Sequence, residues 1–212
     1  MDLFYPPVCH FCHSLLVSNR KIICSSCWTN LPRFGAIKFS KKGFSNRIYL
    51  LYKFDDNIRL LIHLFKYRRF LSLAKYFTDE IIGRYPYLSD NNYSCIIPVP
   101  LHKTRLRERG FNQSQILANY LGKYLKVPVR DKILFRTRFT LSQTRLDKNE
   151  RHRNVANAFK CDANLKGKKV LLIDDIITTG NTLTECLKVL RQADAESIDI
   201  LAIAGLEKTI FY

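Results

Sequence analysis

The sequence predicts an α/β fold, a mostly parallel twisted sheet flanked by helices, with a small cysteine-rich unit ahead of it. Three observations carry that expectation. The run VLLIDDII at 170–177 is a branched apolar stretch of the kind buried on both faces in a parallel sheet. Leu183, Leu187 and Leu190 follow at the spacing of a helix packed back on that sheet. Cys9, Cys12, Cys24 and Cys27 form C-x2-C-x11-C-x2-C within the first thirty residues. At 212 residues the chain is long enough for one ordinary core and a small appendage. With 47% apolar residues, 8 Gly and 7 Pro, it reads as ordered and globular. No apolar run approaches the roughly 20 residues of a membrane span. The start MDLFYPPVCH lacks the basic-then-apolar layout of a signal peptide, so a cytoplasmic protein is expected.

Each CxxC pair places two thiolates on a tight turn, and two such pairs converge four sulfurs tetrahedrally on zinc. His10 and His13 are rival ligands, but the cysteines satisfy the spacing better. Cys95, Cys161 and Cys186 lie in apolar or helical surroundings and read as buried thiols without chemistry. Residues 32–46, rich in Lys, Gly and Ser, read as a connector, so the cysteine unit and its connector are assigned to 1–46. Trp28, Phe34, Phe39 and Phe44 are available either as small-domain core or for stacking on bases. From 47 onward Ile48, Leu50 and Leu51 suggest a strand, and Ile58, Leu61, Ile62 and Phe65, then Leu73, Phe77, Ile81 and Ile82, have helical spacing.

CIIPVPLHKTRLRERGFNQ at 95–113 is a strand stopped by two prolines, then a basic loop, then Asn112 as the cap of a helix carrying Ile116, Leu117, Tyr120, Leu121 and Tyr124. Leu101, His102, Lys103 and Arg105 in that loop are placed to meet a polyanion such as pyrophosphate. Residues 136–159 are polar, basic and without period, as expected of a long functional loop that closes over a ligand. Arg136, Gln143 and Arg151 are its candidate contacts. In VLLIDDIITTGNTL at 170–183, the small-residue turn of Thr178, Thr179, Gly180, Asn181 and Thr182 leads into a helix N-terminus, which suits a phosphate monoester. Asp174 and Asp175 accept hydrogen bonds from sugar hydroxyls or hold magnesium through water. Phosphate, sugar and metal together describe a phosphorylated ribose. No GxxxxGK[ST] segment accompanies the acids, which counts against a nucleotide-hydrolysing site.

That stretch resembles the signature of type I phosphoribosyltransferases, which bind 5-phosphoribosyl-1-pyrophosphate (PRPP). The resemblance implies that Asp174 and Asp175, the catalytic acids, hold the ribose hydroxyls while 178–182 cradle the 5-phosphate. PVPLHKTRLRERGFNQSQILA, RTRFTLSQTRLDKNERHRNVANAF and VLLIDDIITTGNTL, behind a four-cysteine knuckle, are together similar to the ComF family of competence proteins. HLFKYRRF at 63–70 fits that family's Lys-Tyr segment, although Arg68 and Arg69 depart from it and leave the role of Lys66 open. The likeness implies a structural zinc domain ahead of a type I phosphoribosyltransferase fold over 47–212, with a hood-like region at 47–92 and a PRPP-binding core at 93–212. It also implies magnesium carried with PRPP, and a cytoplasmic role in natural transformation, acting on single-stranded DNA entering through the inner membrane. Other DNA-uptake proteins and a peripheral place at that membrane follow as expected associations.

Charge distribution sharpens the choice between functions. The net charge is +17, with eight Lys or Arg against one acid in 1–54 and fourteen against four in 101–153. In 154–212 seven basic residues face eight acids, so the basic surface lies outside the C-terminal sheet region. Two such excesses suit pyrophosphate in one place and nucleic acid in another. A DNA-handling competence protein with a PRPP site uses both. The alternative, a nucleobase salvage phosphoribosyltransferase with PRPP as donor, leaves the zinc knuckle and the N-terminal charge without a task, and 48–92 shows no legible code for an acceptor base.

Overall fold

The computed structural model describes residues 6–17, 22–41, 44–68, 70–138 and 157–206, with backbone alone across 37–41 and 44–46. One five-stranded sheet, in the order β1-β2-β7-β6-β3, organises the chain. Its strands are β1 (Ala36–Lys41), β2 (Phe44–Lys53), β3 (Cys95–Pro98), β6 (Lys169–Ile177) and β7 (Ser197–Gly205). All pairings are parallel except β1 with β2. A separate antiparallel ribbon joins β4 (Leu134–Arg136) to β5 (Phe159–Cys161).

Successive side chains along these strands serve opposite faces, and both faces are buried. Tyr49, Leu51, Ile96, Leu171, Ile173, Leu201 and Ile203 point to one core. Ile48, Leu50, Ile97, Val170, Leu172, Ile200 and Ala202 point to the other. Period-two alternation between two apolar layers is why the strands read as unbroken apolar runs. The first layer is closed by α2 (Asp56–Tyr67), α3 (Ser72–Arg84) and α5 (Gln113–Leu125), and the second by α6 (Asn181–Gln192) with the β4–β5 ribbon. Asp55 starts α2 by accepting a hydrogen bond from the Ile58 N–H at 2.8 Å, and the helix then buries Ile58, Leu61, Ile62, Leu64 and Phe65. In α3, Leu73, Phe77 and Ile81 recur at helical spacing, and Phe77 is fully buried. Truncating such a ring costs about 3–5 kcal/mol.

The cysteine unit shares the first core. Cys9, Ile22, Ile23 and Leu31 belong to the same buried cluster as Phe65 and Phe77. Trp28, in the short helix α1 (Ser25–Thr29), packs its ring 5.9 Å from Phe77, 5.6 Å from Tyr76 and 6.4 Å from Tyr52. Trp28 is therefore a joint between the two parts of the chain, and Phe34 packs on the second core. The side chains of Phe39 and Phe44 lie outside the described residues.

Two segments depart from the sequence expectation. The connector at 32–46 contains β1 and the beginning of β2, an antiparallel pair at the sheet edge, where Lys and Ser are tolerated because an edge strand is not buried on all sides. The basic loop after β3 is instead a two-turn helix, α4 (Lys103–Arg109). His102 caps it, its Nδ1 accepting from the Thr104 N–H at 3.2 Å, and Gly110 ends it with φ of 83°. No side chain of α4 is buried, so it has no apolar stripe to announce it.

Candidate functional site

A crevice of about 660 Å³ opens beyond the carboxyl ends of β3 and β6, the place where open parallel sheets take ligands. β6 supplies its floor. The strand runs through the two acids to Ile177, and Asp174 and Asp175 both line the crevice. Asp174 Oδ1 accepts from the Ser114 hydroxyl at 3.3 Å and from the Asp175 N–H at 2.8 Å. Burial, and then the neighbouring charge of Asp175, push the Asp174 carboxyl up to about 7. Asp175 meets the Lys66 ammonium at 2.7 Å, both side chains being largely shielded from water. Lys66 thus lines the crevice beside the acids, delivered by the last turn of α2.

After β6 the chain turns at Gly180, whose φ of 72° is left-handed and suits a residue without Cβ, and α6 begins at once. No side chain caps α6, and Thr178 and Thr182 line the crevice at its N-terminus. Thr179, Gly180 and Asn181 complete the turn between them. A helix start with its backbone N–H groups directed at an open cavity suits a phosphate. Across the crevice stand Leu101, His102 and Arg105 from the β3–α4 junction. Arg105 also pairs with Glu108 at 3.0 Å. Lys103 is exposed at the start of α4 and does not line the crevice.

Arg136, at the end of β4, does line it, with its guanidinium 5.4 Å from the Phe159 ring centroid. Burial lowers its pKa. Gln143 and Arg151 lie outside the described residues, as does most of 136–159. The described ends of that stretch are joined by the Thr137 N–H bonding the Ala158 carbonyl at 2.8 Å. Several crevice residues were given no site role in the sequence, among them Arg59, His63 and Tyr67 on α2, Arg109 on α4 and Ser114 on α5. Their signal was present. Positions 59, 63 and 67 repeat every four residues on the flank of an amphipathic helix whose apolar positions alone had been read.

At the N-terminus the four cysteine sulfurs lie within 4.8 Å of one another. The Cys12 and Cys24 sulfurs are 3.7 Å apart, close to the ~3.8 Å edge of a tetrahedron with Zn–S bonds of about 2.3 Å. Cys9 Sγ accepts from the N–H groups of Phe11 and Cys24, at 3.5 and 3.3 Å, and Cys24 Sγ from that of Cys27 at 3.4 Å. Such bonds orient thiolates around a metal. His10 instead packs its ring 6.0 Å from Phe70. The donor set fits one structural zinc ion, and all four places are filled by protein. Cys95 and Cys186 are buried thiols whose pKa burial raises, as expected of inert ones, whereas Cys161 is only partly buried.

Comparison with known proteins agrees with both halves. A phosphoribosyl transferase domain model matches residues 107–208, and a double zinc ribbon domain model matches 1–37. Competence protein F of Haemophilus influenzae is 29% identical over 171 residues, 75% of this chain and 72% of that protein. The DNA utilization protein YhgH of Escherichia coli O157:H7 is 35% identical over 105 residues, 50% of this chain and 46% of its own. Competence protein ComFC of Bacillus subtilis is 28% identical over 133 residues, 63% and 53%. The matched stretch thus spans about half the length of the latter two relatives. With a four-cysteine ribbon in front and a type I phosphoribosyltransferase fold behind it, the chain belongs to the ComF family.

Proposed function

We propose that this chain is a competence protein that binds PRPP in the β6 crevice and handles single-stranded DNA during uptake, working in the cytoplasm. One observation carries the reading: a single cavity gathers the acid pair, Thr178 and Thr182 at the two ends of the turn, and the Leu101, His102 and Arg105 group. In that reading the turn holds the 5-phosphate, Asp174 and Asp175 take the ribose hydroxyls, and His102 with Arg105 faces the pyrophosphate, which arrives with magnesium. Arg136 stands beside them as the anchor of the closing segment to which Gln143 and Arg151 belong. The names of the relatives, competence protein and DNA utilization protein, support the DNA role. The +17 net charge favours a polyanion partner. Among the described residues no helix is long and apolar enough to cross a membrane; other uptake proteins and a peripheral place at the inner membrane belong to the same reading. The 1–46 and 47–212 division is retained as a functional one, zinc unit and ligand-binding unit, across their common core.

The test is calorimetric titration of PRPP with magnesium into the native chain and into the Asp174→Ala, Asp175→Ala double variant, with labelled single-stranded DNA followed by polarisation in parallel. The expected result is PRPP binding in the native chain alone, and DNA binding in both that weakens as salt rises. PRPP binding unchanged in the variant would remove the site assignment. Absence of DNA binding at low salt would leave salvage chemistry as the better reading, to be pursued by screening nucleobases for pyrophosphate release.

A further inference from the structure

The crevice continues along α2, beyond the acids. Lys66 meets Asp175 at 2.7 Å, and a helix rises about 1.5 Å per residue, so His63 and Arg59 stand roughly 5 and 10 Å further along the wall. This hood end is lined by Arg59, His63, Tyr67 and Arg109 over Phe54 and Ile62. Rings and cations alternate there. The Arg59 guanidinium lies 5.5 Å from the centroid of Phe54, and that of Arg109 lies 5.1 Å from the centroid of Tyr67. The His63 ring centroid is 4.9 Å from that of Tyr67, tilted by 40°. Arg109 also donates to Gln113 Oε1 and, at 3.4 Å, to the Tyr67 hydroxyl.

Guanidinium groups only donate hydrogen bonds. Among the described residues, the carboxylates lining the crevice are Asp174 and Asp175, and Asp175 is already paired with Lys66. Asp56 pairs with Arg59 at 2.7 Å, but its side chain is 89% exposed, and so solvated a pair holds Arg59 weakly. A neutral base, which mixes donors and acceptors on one edge, finds few acceptors on this wall. A planar group joined to an anion finds both stacking faces and positive charge.

We propose that the hood end binds a nucleotide unit, its base against the Tyr67, His63 and Arg109 group and its phosphate toward Arg59, alongside PRPP. The inference rests on the PRPP reading and names the chemical class that shares its crevice. That unit is a nucleoside 5′-monophosphate, either free or as the phosphorylated end of a single strand.

The experiment titrates dAMP, deoxyadenosine and adenine into the full zinc-loaded chain, with and without saturating PRPP and magnesium. dAMP is expected to bind at least about tenfold more tightly than deoxyadenosine, a difference of roughly 1.4 kcal/mol. The preference should fall below about threefold in the Arg59→Gln, Arg109→Gln variant and return in part in Arg59→Lys, Arg109→Lys, where charge is kept. Equal affinity for dAMP and deoxyadenosine, a preference that survives the glutamine variant, or displacement of PRPP by dAMP would each overturn the proposal. Failure of PRPP itself to bind would strike the parent reading, while the dAMP preference measured without PRPP would still decide the hood. A matching preference for 5′-phosphorylated over 5′-hydroxyl oligothymidylate would assign the strand end. A preference confined to dAMP would assign the free nucleotide.

Discussion

Two clusters of acidic groups mark this molecule, four sulfurs near the N-terminus and two carboxylates on β6, and they are neutralised differently. The sulfurs face one another at zinc-binding spacing and take backbone N–H donors on their outer sides, so the cluster is closed by the chain itself. The carboxylates are only half answered. Asp175 has Lys66, whereas Asp174 has a hydroxyl and one N–H and holds its proton unusually tightly. A closed cluster stabilises; a half-answered one beside a cavity is arranged to receive something from outside.

Removing the metal should break the comparison most severely. Structural zinc contributes about 10–16 kcal/mol of apparent binding free energy in small peptide modules at pH 7, and here Cys9 belongs to the core that also holds Phe77. Chelation, or Cys9→Ser, is expected to lower the melting temperature of the whole chain by more than about 10 °C, a scale set by the few degrees that each kcal/mol shifts a domain of this size. Metal analysis should find one zinc per chain. A melting curve indifferent to chelator would reduce the cage to an appendage.

Next in size is the joint between the ends. Phe77→Ala should cost about 4 kcal/mol, and Trp28→Ala, which is half-buried, about 2–3 kcal/mol, by denaturant titration. Because Trp28 packs on Phe77, Tyr76 and Tyr52, its loss should leave single-strand affinity per folded molecule nearly unchanged. A tenfold loss of that affinity would make it a stacking platform instead.

The acid end should respond to pH. Asp174 keeps its proton to about 7 in the fold against 3.8 for an ordinary aspartate, so the folded chain binds that proton more strongly than the unfolded chain. Its contribution to stability is therefore fullest below pH 4 and is lost as pH rises toward 7. PRPP affinity should move the opposite way, tightening between about pH 6 and 8, because ribose hydroxyls donate to an ionised carboxylate. Asp174→Asn should flatten the stability trend, and a slope that persists in that variant would assign it to another group. The smallest effect is expected of Lys103→Ala. This exposed residue lies off the crevice wall, so stability should stay within about 0.5 kcal/mol and PRPP affinity within about threefold, about 0.65 kcal/mol.

Much of the acid end was legible in the sequence, because local chemistry and tertiary role coincide there. A strand buried on both faces must be apolar, so two aspartates inside it stand out, and Gly180 marks the turn by its need for positive φ. The cysteine spacing is similarly local. The hood was hidden for the converse reason: Arg59, His63 and Tyr67 look like the ordinary solvated flank of a helix until Lys66 reaches Asp175 and turns that flank inward. α4 has one apolar residue, the exposed Leu106, and therefore no apolar stripe, so its helicity rests on caps at His102 and Gly110. β1 escaped because an edge strand needs no apolar run.

β7 lies in the interior of the sheet, between β2 and β6, yet it is the last strand among the described residues. The pairing of Ile48 with Ile200 joins residues separated by most of the polypeptide. During synthesis β2 has no partner on that side until residues 197–205 have left the ribosome, whereas the cysteine knuckle, complete by residue 27, is available for metal from the start. Parallel pairings over such separations form slowly. The nascent chain would then carry a metal-set N-terminus while its sheet still waits for closure, and a truncation that removes β7 would leave β2 and β6 exposing their edges to each other's copies, a route to aggregation.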